Sequence, residues 1–202
     1  MNQWPGLVKD VRQLASTHHR LILGLTGPPA SGKTALANHL STHLAQARVV
    51  AMDGFHLDDV ILKQRRIRHR KGAPQTFDVA GFVALLQRLR GDDTVFAPVF
   101  ERDLELSRNA AIEIPPEIKI VIVEGNYLLH DRDGWQHVRP KLDACWYIDA
   151  PLKVLQQRLM TRWLDYGYSA ARAGEKITKN DLLNARIVSA TKPRADRIVP
   201  AR

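Results

Sequence analysis

Apolar positions along the chain follow two different rhythms. Leu21-Ile22-Leu23-Gly24-Leu25-Thr26, Arg48-Val49-Val50-Ala51-Met52-Asp53, Ile118-Lys119-Ile120-Val121-Ile122-Val123-Glu124-Gly125 and Ala144-Cys145-Trp146-Tyr147-Ile148-Asp149 are short, nearly unbroken apolar runs. Runs of that length and composition predict strands buried on both faces. Between them the apolar residues recur at helical spacing. Leu7, Val8, Val11, Leu14 and Ala15 predict an amphipathic helix over Pro5 to His18, and a second helix runs from Lys33 to about Ala45. Val79, Phe82, Val83, Leu85, Leu86 and Leu89 mark one face of a helix that Asp78 caps and that ends near Arg90. Further helices are predicted from Trp135 to about Leu142, after Pro151 with Val154, Leu155, Leu159 and Trp163, and from Lys179 to about Ser189. Gly167 to Lys176 reads as a break between the last two, and Arg197-Ile198-Val199 as a final strand.

Strands alternating with helices predict a three-layer α/β/α fold around a mostly parallel sheet. Val95-Phe96-Ala97-Pro98-Val99-Phe100 and Ala111-Ile112-Glu113-Ile114 form a small β excursion from it, with Pro98 pointing to an edge. No repeat, low-complexity tract or long linker divides the 202 residues, so one domain over 1–202 is expected.

Composition narrows the class only slightly. Hydrophobic residues make up 45% and charged residues 25%, ordinary values for a globular protein. The single cysteine, Cys145, excludes an internal disulfide, fits a reducing cytosol and reads as a buried strand residue. No basic segment followed by an apolar stretch opens the chain, and no run approaches membrane-spanning length, so a cytoplasmic protein without membrane contact is expected. The formal charge of +9 favours anionic ligands and does not choose between a nucleotide and a nucleic acid.

The strand ending at Thr26 leads straight into Gly27-Pro28-Pro29-Ala30-Ser31-Gly32-Lys33-Thr34, which reads G-x-x-x-x-G-K-T. A strand before and a helix after, opening at Ala35, are the context a phosphate-binding loop requires. Unpaired N–H groups and the positive end of the helix dipole then face an incoming phosphate. Gly27 and Gly32 permit close backbone approach, Lys33 can reach the β- and γ-phosphates, and the Thr34 hydroxyl can ligate Mg²⁺. ATP and Mg²⁺ are the cofactors this implies, and the fold becomes that of a P-loop NTPase.

Residues around the loop bear on what the nucleotide is used for. Asp53 and Glu124 each end a predicted strand, where open α/β sheets place their ligands. One carboxylate would orient an acceptor hydroxyl and take its proton, and the other would hold Mg²⁺ or its water. The expected assignment is Asp53 as base and Glu124 on the metal side, with the reverse left open. His56 is a substrate-side candidate. Arg158 and Arg162 share one helix face and, with Arg172, read as a lid that screens the transferring phosphoryl alongside Lys33. The basic run Lys63, Arg65, Arg66, Arg68, Arg70 and Lys71 lacks interleaved aromatics and any accompanying nucleic-acid motif. It reads as a solvated flap or substrate-side loop rather than an RNA interface.

These boxes, together with Met52-Asp53-Gly54-Phe55-His56, Lys71-Gly72-Ala73-Pro74-Gln75-Thr76-Phe77-Asp78 and Val123-Glu124-Gly125-Asn126-Tyr127-Leu128-Leu129, resemble the phosphoribulokinase/uridine kinase superfamily. The likeness runs from about Leu21 to Val199 and is nearest to bacterial type I pantothenate kinases and the fructose transport system kinase branch. It implies a kinase acting on a hydroxyl of a small metabolite, with Asp53 as catalytic acid/base. By the same resemblance Asp78 and the Phe96–Phe100 segment lie on the acceptor side, and the region after Asn184 lies near the adenine. Length and the His56 box favour the sugar-directed branch; a nucleoside or pantothenate-like acceptor is the alternative. A nucleotide-binding switch or RNA-associated protein is the alternative of another class. A homodimer is the default expectation for the assembly.

Overall fold

The computed structural model describes residues 4–201. Helix α1 (Trp4–Ala15) leads into β1 (Leu21–Thr26), α2 (Lys33–His43) and β2 (Ala47–Ala51). A short α3 (Asp59–Gln64) and α4 (Val79–Arg88) precede a hairpin of β3 (Val95–Glu101) and β4 (Leu106–Ile114). After it come β5 (Ile120–Glu124), β6 (Ala144–Asp149), α5 (Leu152–Asp165), α6 (Ala170–Lys176), α7 (Leu182–Ser189) and β7 (Arg197–Pro200). Five strands form one parallel sheet in the order β2-β5-β1-β6-β7, and β3 and β4 pair antiparallel outside it.

Alternation along the central strands divides the core in two. Leu21, Leu23, Leu25, Ile120, Ile122, Trp146 and Ile148 face α1 and α2. Ile22, Val121, Val123, Cys145 and Tyr147 face α4, α7 and the Tyr127–Trp135 connection. Side chains at successive positions point to opposite faces, so an unbroken apolar run supplies both cores at once. Gly24 leaves room for Leu142 against β1, since a Cβ there would lie 2.7 Å from Leu142 Cδ1. Because all five strands run the same way, Thr26, Ala51, Glu124 and Asp149 end at one edge of the sheet. No helix among the described residues is long and apolar enough to cross a membrane.

Four segments differ from their sequence reading. Trp135 to Leu142 is two 3₁₀ turns, Trp135–His137 and Arg139–Lys141, because Pro140 can neither donate nor accommodate a preceding helical carbonyl. Part of the Gly167–Lys176 break is helix α6, which Ser169 caps by accepting from the Arg172 amide at 3.4 Å. A π-turn, Ile177–Asp181, joins it to α7. Strand β4 begins at Leu106, five residues earlier than its apolar part, because Ser107 and Arg108 pair with Phe100 and Val99.

Candidate functional site

The loop after β1 wraps the start of α2 through three residues with positive φ: Gly27 at 150°, Ala30 at 64° and Gly32 at 100°. A Cβ on Gly27 would stand 2.5 Å from the Ile148 carbonyl oxygen, so the loop can lie against β6 only with glycine there. No side chain caps α2 at Gly32, which leaves its first amides to a ligand. Ser31 Oγ is buried and has no hydrogen-bond partner. Lys33 is almost fully covered, and its Nζ donates to the carbonyls of Gly27 and Pro28, both at 2.9 Å. Burial pulls its pKa down to about 8, against the opposing pull of the Glu124 and Asp53 carboxylates.

Thr34 Oγ1 donates to Glu124 Oε1 at 2.9 Å, joining the last position of the loop to the end of β5. Burial and the neighbouring Asp53 charge raise the proton affinity of Glu124. A hydroxyl and a carboxylate are hard oxygen donors of the kind Mg²⁺ takes. No cluster of three or more His, Cys, Asp or Glu side chains forms among the described residues, so a cation here draws its remaining ligands from phosphate and water. The residues present therefore fit a magnesium–nucleotide complex.

Asp53 follows β2 within a 3₁₀ turn, Met52–Phe55, rather than on the strand itself. Gly54 lets this turn lie flat on the hairpin, since a Cβ would be 2.5 Å from the Pro98 carbonyl oxygen. The turn holds Asp53 toward Arg102, whose Nη2 donates to Asp53 Oδ2 at 2.8 Å. His56 Nδ1 donates to the Asp53 carbonyl at 2.7 Å, which fixes the tautomer, and burial lowers its pKa so that the ring stays neutral. Its ring lies between Phe77 and Phe100, at 4.1 and 4.5 Å between centroids.

One cleft of about 990 Å³ gathers these groups. Pro29 to Ala35, Asp53, His56, Phe100, Glu124, Arg158 and Arg162 all line it. Arg158 Nη1 donates to the Ala30 carbonyl at 3.2 Å, so its helix lies directly against the loop. Arg172 stands apart, its guanidinium 5.0 Å over the Tyr168 ring and outside the cleft lining. Val199, Pro200 and Ala201 join Trp4 and Ala35 in the lining, which brings part of the region after Asn184 to the loop's flank.

Asp78 is not brought to the cleft. Its carboxylate accepts from the Gly81 amide at 2.9 Å and caps α4, and the residue is not part of the cleft lining. Asp78→Ala is accordingly expected to lower unfolding free energy by about 1 kcal/mol in urea titrations, with the acceptor KM unchanged. A raised KM at unchanged stability would return Asp78 to the acceptor side.

Sequence reasoning missed Arg102, and it left the basic run as either a solvated flap or a substrate-side loop. Arg102 lies two residues past Phe100 at the end of the Phe96–Phe100 segment, so its position was the available signal. Arg68 and Lys71 reach Asp59 at 2.6 and 2.8 Å, and Lys71 also meets Glu105 at 3.0 Å. Arg70 donates to the Lys179 carbonyl at 2.8 Å. Arg68 and Lys71 line the cleft, whereas Lys63, Arg65 and Arg66 are exposed.

No family model matches the chain. Individual proteins do. An Aspergillus versicolor protein named ATP-dependent kinase-like protein notR' is 32% identical over 145 residues, 66% of this chain and 84% of that one. A Schizosaccharomyces pombe protein with the provisional name uridine kinase is 28% identical over 190 residues, 87% of this chain and 81% of that one. A crystal structure from Silicibacter sp. TM1040, with the provisional name fructose transport system kinase, superposes with a TM-score of 0.85. It is 40% identical and matches over 90% of each chain.

Proposed function

Because the chain belongs to the phosphoribulokinase/uridine kinase superfamily of P-loop kinases, we propose that it transfers the γ-phosphoryl of Mg-ATP to a hydroxyl of a sugar or sugar-like metabolite. Its standing as an ATP-dependent kinase of the P-loop family follows from its relatives. The acceptor class is our reading. The observation that supports transfer to a hydroxyl is the Asp53 carboxylate, tied to Arg102 at 2.8 Å and sharing a cleft with the phosphate loop. A nucleotide switch has no use for such a carboxylate beside an open cavity.

The residues divide the work between binding and proton transfer. The loop amides and the start of α2 cradle the phosphates, and Lys33 exchanges its loop carbonyls for phosphate oxygens. Thr34 and Glu124 are the groups that would hold Mg²⁺, which when bound neutralises charge on the phosphate oxygens. Asp53 orients the acceptor hydroxyl and takes its proton, while Arg102 keeps that carboxylate aimed. Arg158 and Arg162 screen the charge on the phosphoryl in flight and exclude water.

ADP release from Mg-ATP across fructose, other sugars, ribonucleosides, pantothenate and glycerate tests the reading. Stimulation by a sugar well above the rest supports it. Stimulation by a ribonucleoside or pantothenate alone would replace the acceptor class.

The lowered proton affinity of Lys33 gives a second test. ATP needs the ammonium form, whose charge the triphosphate stabilises, so the pKa rises on binding. Above pH 8 the free protein must then take up a proton to bind, and affinity is expected to fall with rising pH, by up to about tenfold per unit. Calorimetric titration of ATP between pH 7 and 10 reads this directly, with Lys33→Arg as the variant that stays charged. Flat affinity in the unmodified protein would contradict it.

A further inference from the structure

The cleft differs in chemistry along its length. Asp53, Lys71, Arg102 and Glu124 crowd one part of it with charge. On the flank of the loop it is lined by Trp4, Ala35, Leu36, Val199, Pro200 and Ala201, which bring no ionisable side chain. Thr34 ties the loop to Glu124 at 2.9 Å, and Ala35, the next residue, begins the apolar lining. A triphosphate whose terminal group faces Lys33 and Asp53 therefore runs back along the loop, and the rest of the nucleotide leaves it on the Ala35 side. An aromatic face among aliphatic neighbours suits a neutral heteroaromatic ring.

Trp4 opens α1, ahead of the segment that resembles the kinase superfamily, so none of the sequence boxes covers it. The helix behind it fixes its place. Leu7, Val8 and Val11 are buried in one cluster with Leu36, Ala37 and Leu40 of α2, and Arg12 Nη2 donates to the His43 carbonyl at the far end of α2 at 3.0 Å. The Trp4 ring leans on His39, one helical turn past Ala35, at 4.9 Å between centroids and 49° between planes. Strand β7 positions the aliphatic neighbours. Pro200 stands beside Asp149 in the β6–β7 register, and the Ala201 amide donates to the Asp149 carbonyl at 2.7 Å. A ligand meeting these groups does not have to order them first.

The other tryptophan in the cleft lining, Trp163, is already engaged. Its Nε1 donates to Asp181 Oδ2 at 2.7 Å, the Lys176 ammonium lies 4.5 Å over its ring, and Tyr166 and Tyr168 pack on it at 5.8 and 5.2 Å.

We propose that Trp4 is the nucleobase platform: the purine of the bound nucleotide stacks on its indole, with Val199, Pro200 and Ala201 beside the base. This rests on the nucleotide-binding half of the kinase reading and not on its acceptor. It also gives α1 a part in the site, since the helix carries the platform while α2 carries the phosphate loop.

Calorimetric titration of the full chain with Mg-ATP and, separately, with magnesium tripolyphosphate tests this, because tripolyphosphate offers the phosphates without a base. Trp4→Leu keeps an apolar side chain at the start of α1 and removes the ring, and Trp4→Phe keeps a ring. Trp4→Leu is expected to bind ATP about tenfold or more weakly and Trp4→Phe within about threefold of the unmodified protein, with tripolyphosphate affinity the same in all three. Unchanged ATP affinity in Trp4→Leu overturns the proposal and leaves the kinase reading intact. Equal losses in the two variants, or tripolyphosphate affinity falling in step with that for ATP, also overturn it, because Trp4 would then act by holding α2 in place rather than by stacking. Failure of the unmodified protein to bind either ligand would overturn the kinase reading and this proposal with it.

Discussion

Replacing Asp53 with alanine is expected to lower phosphoryl transfer by about a hundredfold or more while leaving Mg-ATP binding near normal. Asp53 lies on the turn after β2 and is paired with Arg102 at 2.8 Å. Removing it takes away the group that orients the acceptor oxygen but none of the loop amides that hold the triphosphate. The loss should therefore fall on kcat, measured with the acceptor that most stimulates ADP release, and not on the dissociation constant for ATP. Arg102→Ala, which keeps the carboxylate but frees its position, should give a smaller loss in the same assay. Near-normal turnover in Asp53→Ala would remove Asp53 from the base role and pass it to Glu124, whose burial-raised proton affinity makes it the other candidate.

Lys33→Met should cost more broadly, by about a hundred- to a thousandfold in kcat/KM for ATP, whichever acceptor is used. Methionine keeps the volume and apolar stem of a side chain that is 7% exposed, so the substitution removes the charge without opening a cavity. The Gly27 and Pro28 carbonyls lose their shared donor, and the transferring phosphoryl loses the cation that follows it. Thermal unfolding followed by circular dichroism separates the two consequences. A small shift in Tm with a large loss of activity is the expected pattern, and activity within threefold of the unmodified protein would remove Lys33 from phosphate contact.

Long-range arrangement explains which parts of this architecture were legible in the sequence. Leu21–Thr26 and Ala144–Asp149 were bounded correctly because both sheet faces are covered and the apolar run stops where burial stops. The loop between Gly27 and Thr34 was legible because its chemistry is local: each residue acts through backbone geometry or a side chain within eight positions. Asp53, Glu124, His56 and Phe100 were singled out from strand ends and boxes, and the fold brings them into one cleft. Arg102 was not, because its partner lies 49 positions away across a hairpin whose turn carries no periodic signal. Asp78 was given two readings, and only the helix cap, which depends on the three residues after it, corresponds to its contacts. The π-turn escaped entirely. Its residues carry no pattern that marks a widened turn, and the contacts made there, Asn180 to Lys71 and Asp181 to Trp163, join positions far apart in sequence.

The most direct measurement is a ³¹P NMR time course of the protein with Mg-ATP and the sugar that most stimulates ADP release. The γ-phosphate signal should decay as a phosphate monoester signal grows in equal amount, with little inorganic phosphate. That result would show transfer to a hydroxyl. Decay into inorganic phosphate alone, with every sugar offered, would contradict the account, because the cleft would then be delivering the phosphoryl to water.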